Sequence, residues 1–495
     1  MGVISKQASQ AAVFNYLGVI IGFVNITLLM TQLFTPEEFG LREILLNVAV
    51  FSSQISHLGT YRSLVKFFPF FNREGKNDNG LLALGLLLPF FGFLIITGLM
   101  FLFKSEIMSY YIEKSPLFVD YFLFVIPLSF LLLYDNVFDS YLQARSKTAF
   151  SVMLKSVFNR LMTTFLLLLF YLEWIDFYGF VVGINLTYVV NILAFIIYLI
   201  SQGEFNLKLK RNFFRKSLRK VYFNYSSFSI LQGVATVLVN RIDILMIGGA
   251  IGLSATAIYG NAVYLSMLLM IPGNAIGRIS LAVLSKSWKE KKMDELEKVY
   301  QKTALTQYIL SGSVFALMWA AIDNFYIIQG KVYDQGKWVF LILGLSKIIN
   351  LMFGANGQLI SISKYYRFDT ITGLLLGVLT YFTNSVFIPI WGIEGAAFAT
   401  ALSIVCFNLI RFSFVFIKLK MQPFSTKTLL VTAILLVGFV LGEILPDLAN
   451  IYIDSIYKLA VISFVLSGSF YFLKVSDDIN IFVNQHMAKF RNSLK

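Results

Sequence analysis

Stretches of the chain that are otherwise apolar carry Arg42, Arg62, Lys155, Arg160, Arg241, Arg278, Lys347 and Arg411, against Glu43, Asp135, Asp139 and Asp243. Placing a cation at the centre of a lipid-embedded helix costs about 2.5 to 3.5 kcal/mol, so several of them together imply partners or a wet cavity. Counted from the nearer end of each run, Arg160, Arg241 and Lys347 lie deepest. Arg62, Arg278 and Arg411 lie toward one end, and Arg42 and Lys155 sit close enough to a boundary to snorkel. More base than acid in a low dielectric attracts anions and repels cations. The guanidinium adds a planar, two-pronged donor that matches phosphate. A pyrophosphate or acidic-sugar ligand fits this balance.

The acids leave two readings open. Asp135 and Asp139 are four apart and share a helix face, which suits a proton or sodium site and equally suits salt bridges to Arg160 or Lys155. Asp243 is two from Arg241, so the two point to different faces and each needs its own partner. Asn25, Gln54, His57, Asn159, Asn240, Asn261 and Asn274 could hydrogen-bond a sugar or tie helices to one another. A lone Cys406, with His57 and His486 the only histidines, makes thiolate or histidine metal chemistry very poorly provided for. A nucleotide-binding glycine loop and Asp-x-Asp pairs are absent, and so is any extramembrane stretch in which a catalytic domain could fold. An enzyme is the minority reading, and no cofactor is expected.

The elements that position these residues follow from composition. Of 495 residues 57% are hydrophobic and only 14% charged, with a net charge of +14. Soluble chains carry nearer a quarter charged residues, so the solvent here is lipid, and the basic surplus marks loops on one side of a membrane, not a nucleic-acid face. About fourteen runs are long enough to span, at 11–33, 41–65, 81–103, 117–140, 151–172, 177–201, 225–250, 255–284, 303–322, 338–362, 369–388, 395–417, 428–445 and 456–473. Lys and Arg gather in alternate connections, most densely at 208–220 and 286–302. The opposite side holds only Lys104, Lys114, Lys331, Lys337 and Lys458. That asymmetry places both termini in the cytoplasm. The two dense loops also suit anionic headgroups. The segment before Ala11 is polar with only Lys6, so the first run is expected to be a retained helix.

An offset of roughly 216 to 220 residues brings short matches together, as in transporters built from repeats. Arg62 falls on Arg278, Ser146-Lys147 on Ser363-Lys364, Gly179 on Gly395, and the segment ending Phe39-Gly40 on that ending Tyr259-Gly260. The expected organisation is therefore an N-terminal lobe at 1–203, a basic linker at 204–224, a second lobe at 225–420, and two further helices with a short tail at 421–495. Two six-helix bundles of this kind enclose a cleft that can open to either side by rocking. Small pairs such as Gly18/Gly22, Gly183/Gly179, Gly273/Gly277, Gly373/Gly377 and Gly438/Gly442 suit close packing within each bundle.

The opening SKQASQAAVFNYLGVIIGFVNITLLMTQLFTPEEFGL, the following HLGTYRSLVKFFPFFN, the segment NRIDILMIGGAIGLSATAIYGNA and the later IWGIEGAAFATALS resemble a known pattern. They are similar to the multidrug, oligosaccharidyl-lipid and polysaccharide exporter superfamily, in its Wzx-like oligosaccharide-flippase branch. The resemblance implies an all-α polytopic fold with two pseudo-symmetric lobes, a central cavity and alternating access. It further implies carriage of undecaprenyl-pyrophosphate-linked oligosaccharide across a bacterial inner membrane, with a polymerase and glycosyltransferases as partners. By position the cationic cavity would be supplied by Arg62, Arg241 and Arg278, with Lys347, Arg160 and Arg411 as further contributors. Asp135, Asp139 and Asp243 are the candidates for counter-ion coupling. A drug or cation antiporter of the same fold would want an acidic cavity. A membrane glycosyltransferase or polymerase would want a large outside loop with carboxylates.

Overall fold

Thr35-Pro36-Glu37-Glu38 starts a helix for reasons contained in four residues. Thr35 stays extended, its hydroxyl accepts the Glu38 amide, the Glu38 carboxylate accepts the Thr35 amide in return, and Pro36 supplies the fixed φ of the first turn. Asp176 and Asn450 cap later helices through their side-chain oxygens. The computed structural model describes residues 3–71, 79–208, 216–476, 480, 481 and 484, and every regular element among them is helical. The 72–78 connection, the centre of the expected linker at 209–215 and most of the tail lie outside the described residues.

The chain packs as two compact units, residues 1–260 with 380–392, and residues 261–379 with 393–495. The first unit contains α1 (Val3–Phe23, continued by a π turn at Val24–Leu29), α2 (Pro36–Ser56), α3 (Thr60–Phe71), α4 (Leu81–Leu102), α5 (Lys104–Tyr111) and α6 (Val125–Ala144). It continues with α7 (Asn159–Tyr171, preceded by a π turn at Met153–Phe158), α8 (Phe177–Ser201) and α9 (Lys216–Ala250). The division falls within α10 (Leu253–Leu268). The second unit holds α11 (Met270–Lys289), α12 (Met293–Ala320), α13 (Ile322–Gln329), α14 (Gly336–Met352), α15 (Asn356–Ile362), all of α16 (Tyr366–Leu419) except residues 380–392, α17 (Thr426–Ile444) and α18 (Ile451–Phe472). Grouping by contact thus keeps α9 with the first unit. The division at 204–224 rests on the duplication instead and stands as a proposal.

Among the described residues nine helices can cross a membrane by length and composition, or twelve if three bent pairs each count as one span. Two places separate this range from the expected fourteen. The long α16 is two helices meeting at Gly392, whose φ of 59° and ψ of −132° are not helical. Helices α2 and α3 are separated at His57–Gly59, where Gly59 has a φ of +79° and any Cβ would collide with the Ser226 backbone. Large apolar side chains on the outer helices face outward, Phe464 at 80% and Phe472 at 79% exposure, which suits acyl chains and not water. The protein is a multi-pass membrane protein.

Each unit has its own buried apolar cluster. One includes Val137, Tyr141 and Leu142, the other Ala355, Leu359 and Ile360. These three pairs stand about 218 residues apart, within the offset of the sequence matches. Several glycine pairs do allow close approach: Gly18 lies against the Ser156 backbone, Gly183 against Leu166 and Gly438 against Leu466. Gly373 faces open space.

Candidate functional site

The second unit contains a cavity of about 490 Å³, built on one face of α11. Asn274 and Arg278, one turn apart, present polar side chains to it, while Gly273 and Gly277 form the neighbouring row. The glycines matter because amide side chains lie flat on the helix there. Gln307 of α12 donates to the Gly273 carbonyl at 2.9 Å, and Gln358 of α15 donates to the Gly277 carbonyl at 3.0 Å. A Cβ on Gly277 would stand 3.2 Å from one amide nitrogen and 3.4 Å from the other. Opposite, the turn between α14 and α15 needs Gly354, at φ +60°, because a Cβ would stand 2.6 Å from that of Ala304.

Beneath the cavity runs a relay of amides. Asn356 donates to Asn408 at 3.2 Å, and Asn408 donates to Asn350 at 2.9 Å. Asn408 is also held by the Ile404 carbonyl, so each amide is oriented by its neighbours. Gln358 Oε1 is buried with no hydrogen-bond partner, an acceptor left for a donor that enters the cavity.

Arg411 and Asp369, on the two arms of α16, form an ion pair in the cavity wall. The Arg411 guanidinium also lies over the Phe407 ring, 3.9 Å from its centroid, and against Gly357, where a Cβ would meet it at 2.7 Å. Arg278 differs. Its side chain is exposed, and among the described residues it has neither an ion pair nor a hydrogen bond. With Arg411 compensated by Asp369, Arg278 leaves the cavity with one uncompensated positive charge. A cavity lined by amides, a hydroxyl from Ser361, a neutralised Arg411–Asp369 pair and one guanidinium without an acid can hold a polar, hydrogen-bonding anion.

The first unit holds the other charged group that the sequence singled out. Lys155 sits on the π turn, its ammonium 3.2 Å from Asp135 Oδ2, 3.3 Å from Asp139 Oδ2 and 2.6 Å from Asn136 Oδ1. Three acceptors for three ammonium protons complete its bonding. Of the two partners weighed for these carboxylates, Lys155 is the one that bridges both. Asp135 also accepts from Asn191 at 3.3 Å, and Asp139 accepts from Ser151. Arg160 donates to the Ser156 carbonyl at 3.3 Å. Arg241 donates to Asn47 at 2.9 Å, and Asp243 accepts from Tyr259 at 2.6 Å. Arg62 is exposed on α3, and Lys347 is half-buried on α14, apart from the cavity lining.

Of the expected anion contacts, the structure therefore brings Arg278 and Arg411 to one cavity and pairs the latter. Sequence reasoning missed Asp369 because it stands at the boundary of a span, where an acid passes for a helix-end residue. The Asn-Gly-Gln run at 356–358 inside an apolar stretch was a usable signal for the amides.

No family model matches the chain. A curated relative, "Probable low-salt glycan biosynthesis flippase Agl15" of Haloferax volcanii, is 20% identical over 246 residues, 48% of this chain and 51% of that protein. The chain thus matches about half the length of that relative. Among solved structures, the lipid II flippase MurJ in an inward closed conformation superposes with a TM-score of 0.71 at 14% identity, over 94% of this chain and 99% of that one. A multidrug resistance MATE family transporter of the MOP superfamily, in its inward-facing conformation, gives 0.61 at 13% identity, over 83% and 94%. The described helices thus have the fold of MOP-superfamily transporters, as the sequence resemblance implied.

Proposed function

We propose that this protein is a flippase that moves a lipid-linked oligosaccharide, joined through pyrophosphate, between the leaflets of a membrane by alternating access. The observation that carries the reading is the uncompensated Arg278 in a cavity whose other charged groups, Arg411 and Asp369, neutralise each other and whose remaining polar groups are amides and a hydroxyl. A guanidinium there suits the pyrophosphate, the amides suit sugar hydroxyls, and the prenyl tail would stay in lipid. The glycan-flippase name of the archaeal relative and the lipid II substrate of MurJ support the same class of cargo. In this reading the membrane is a bacterial inner membrane with both termini cytoplasmic, and a polymerase and glycosyltransferases act before and after the flip. Arg62, Arg241, Lys347 and Arg160 would contribute positive potential. Asp243 would serve proton or sodium coupling, and Asp135 and Asp139, fastened by Lys155 in this structure, would join it only in a state in which that lysine has left them.

Replacing Arg278 with Ala should abolish surface-glycan export in cells that depend on this protein while its abundance in the membrane stays normal. Lys at the same position should fail too if the two-pronged geometry is needed, and retain part of the export if charge suffices. Normal export with both Arg278 and Arg241 replaced by Ala would refute the proposal. The second reading, a cation antiporter of the same fold, draws on Asp369 in the cavity wall. Arg411 already neutralises that carboxylate.

A further inference from the structure

Within the first unit, the surroundings of Arg241 keep its charge while fixing its position. Arg241 is half-buried on α9 and its Nη1 donates to Asn47 Oδ1 on α2 at 2.9 Å. The orientation of that amide is set by its other end, since Asn47 Nδ2 donates to the Glu43 carbonyl at 2.7 Å and only the oxygen can then face the arginine. Asn47 is 1% exposed, so this bond is not traded for water. Two carboxylates lie close in sequence to this contact, and both are engaged elsewhere. Glu43 pairs with Arg42 beside it and packs over Gly260, and Asp243 accepts the Tyr259 hydroxyl at 2.6 Å. Among the described residues no carboxylate lies within ion-pair distance of Arg241.

We propose that Asn47 is a positioning residue that holds the Arg241 guanidinium in place without cancelling its charge, with Arg42 keeping Glu43 from doing so. The inference rests on the anion-carrying reading above and adds to it a residue that touches no substrate. An aspartate at the same place would make the same contact and remove the net charge. A neutral amide therefore distinguishes an arginine kept for a ligand from one kept for the fold.

The test uses the full-length chain purified in detergent, with farnesyl pyrophosphate as the probe and farnesol as the uncharged control, read by ligand-dependent thermal stabilisation. Asn47→Asp should weaken pyrophosphate binding about tenfold or more, while the melting temperature without ligand stays at or above that of the native chain. Structural damage would lower both. Arg42→Met frees Glu43 and should weaken the same binding with Arg241 and Asn47 untouched. Native affinity in both variants overturns the inference. Arg241→Ala, measured alongside, separates the levels. If it loses binding while Asn47→Asp and Arg42→Met keep it, the positioning role alone fails. If it binds as the native chain does, the anion role of Arg241 fails and the inference with it.

Discussion

The Lys155 group of the first unit and the Arg278 cavity of the second answer the same problem, charge inside an apolar bundle, in opposite ways. Around Lys155 the ammonium is enclosed by two carboxylates and an amide oxygen, and Asp135 is only 1% exposed. In the second unit Arg411 has Asp369, yet Arg278 stands open to a cavity of about 490 Å³ with no acid of its own. The first arrangement satisfies its members from within, as a structural group must in low dielectric. The second leaves a positive charge whose partner has to come from outside. Enclosure against surplus, not the mere presence of charge, is what tells a fastening from a binding site.

Three tests would break or sharpen that contrast. Lys155→Met strands two carboxylates in the first unit and should cost about 3 to 5 kcal/mol, seen as a lower melting temperature of the purified chain. Adding Asp135→Asn and Asp139→Asn should recover most of the loss. An unchanged melting temperature for Lys155→Met alone would show that the group is not a fastening. Asp369→Asn should cost less, about 2 kcal/mol, because Arg411 borders a cavity that water can fill. It should also raise affinity for a pyrophosphate probe, since a second guanidinium is released. Unchanged affinity would mean that Arg411 faces the cavity without serving it. Arg278→Ala should move stability by no more than about 0.5 kcal/mol and still remove most of the probe's binding. A stability loss as large as that of Lys155→Met would place Arg278 among the fastenings and erase the distinction.

Much of this was legible in the chain itself. The apolar runs, the basic residues inside them and the four-residue spacing of Asp135 and Asp139 follow from composition and helical period. The break at Gly392 falls between the expected runs 369–388 and 395–417, whereas that at Gly59 lies inside the expected run 41–65 and depends on backbone geometry that a hydropathy run does not register. Of the candidate site, Arg278 and Arg411 were named as cations within apolar runs, and Asn274 as a polar residue there. Asp369, Asn350 and Gln307 were not, since none is unusual within its own helix, and Asn356 and Gln358 were not, although their run with Gly357 interrupts an apolar stretch.

By itself, then, the sequence determined that the protein lives in lipid, that its helices carry more base than acid, and which side chains bear that charge. Those properties belong to single helices and to totals, which order along the chain specifies. The tertiary structure decided which charges are spent on one another: Arg411 with Asp369, Lys155 with Asp135 and Asp139, Arg241 with a neutral Asn47. Pairing across helices depends on which faces pack together, a property of neighbours far apart in the chain, and a single helix's spacing does not contain it.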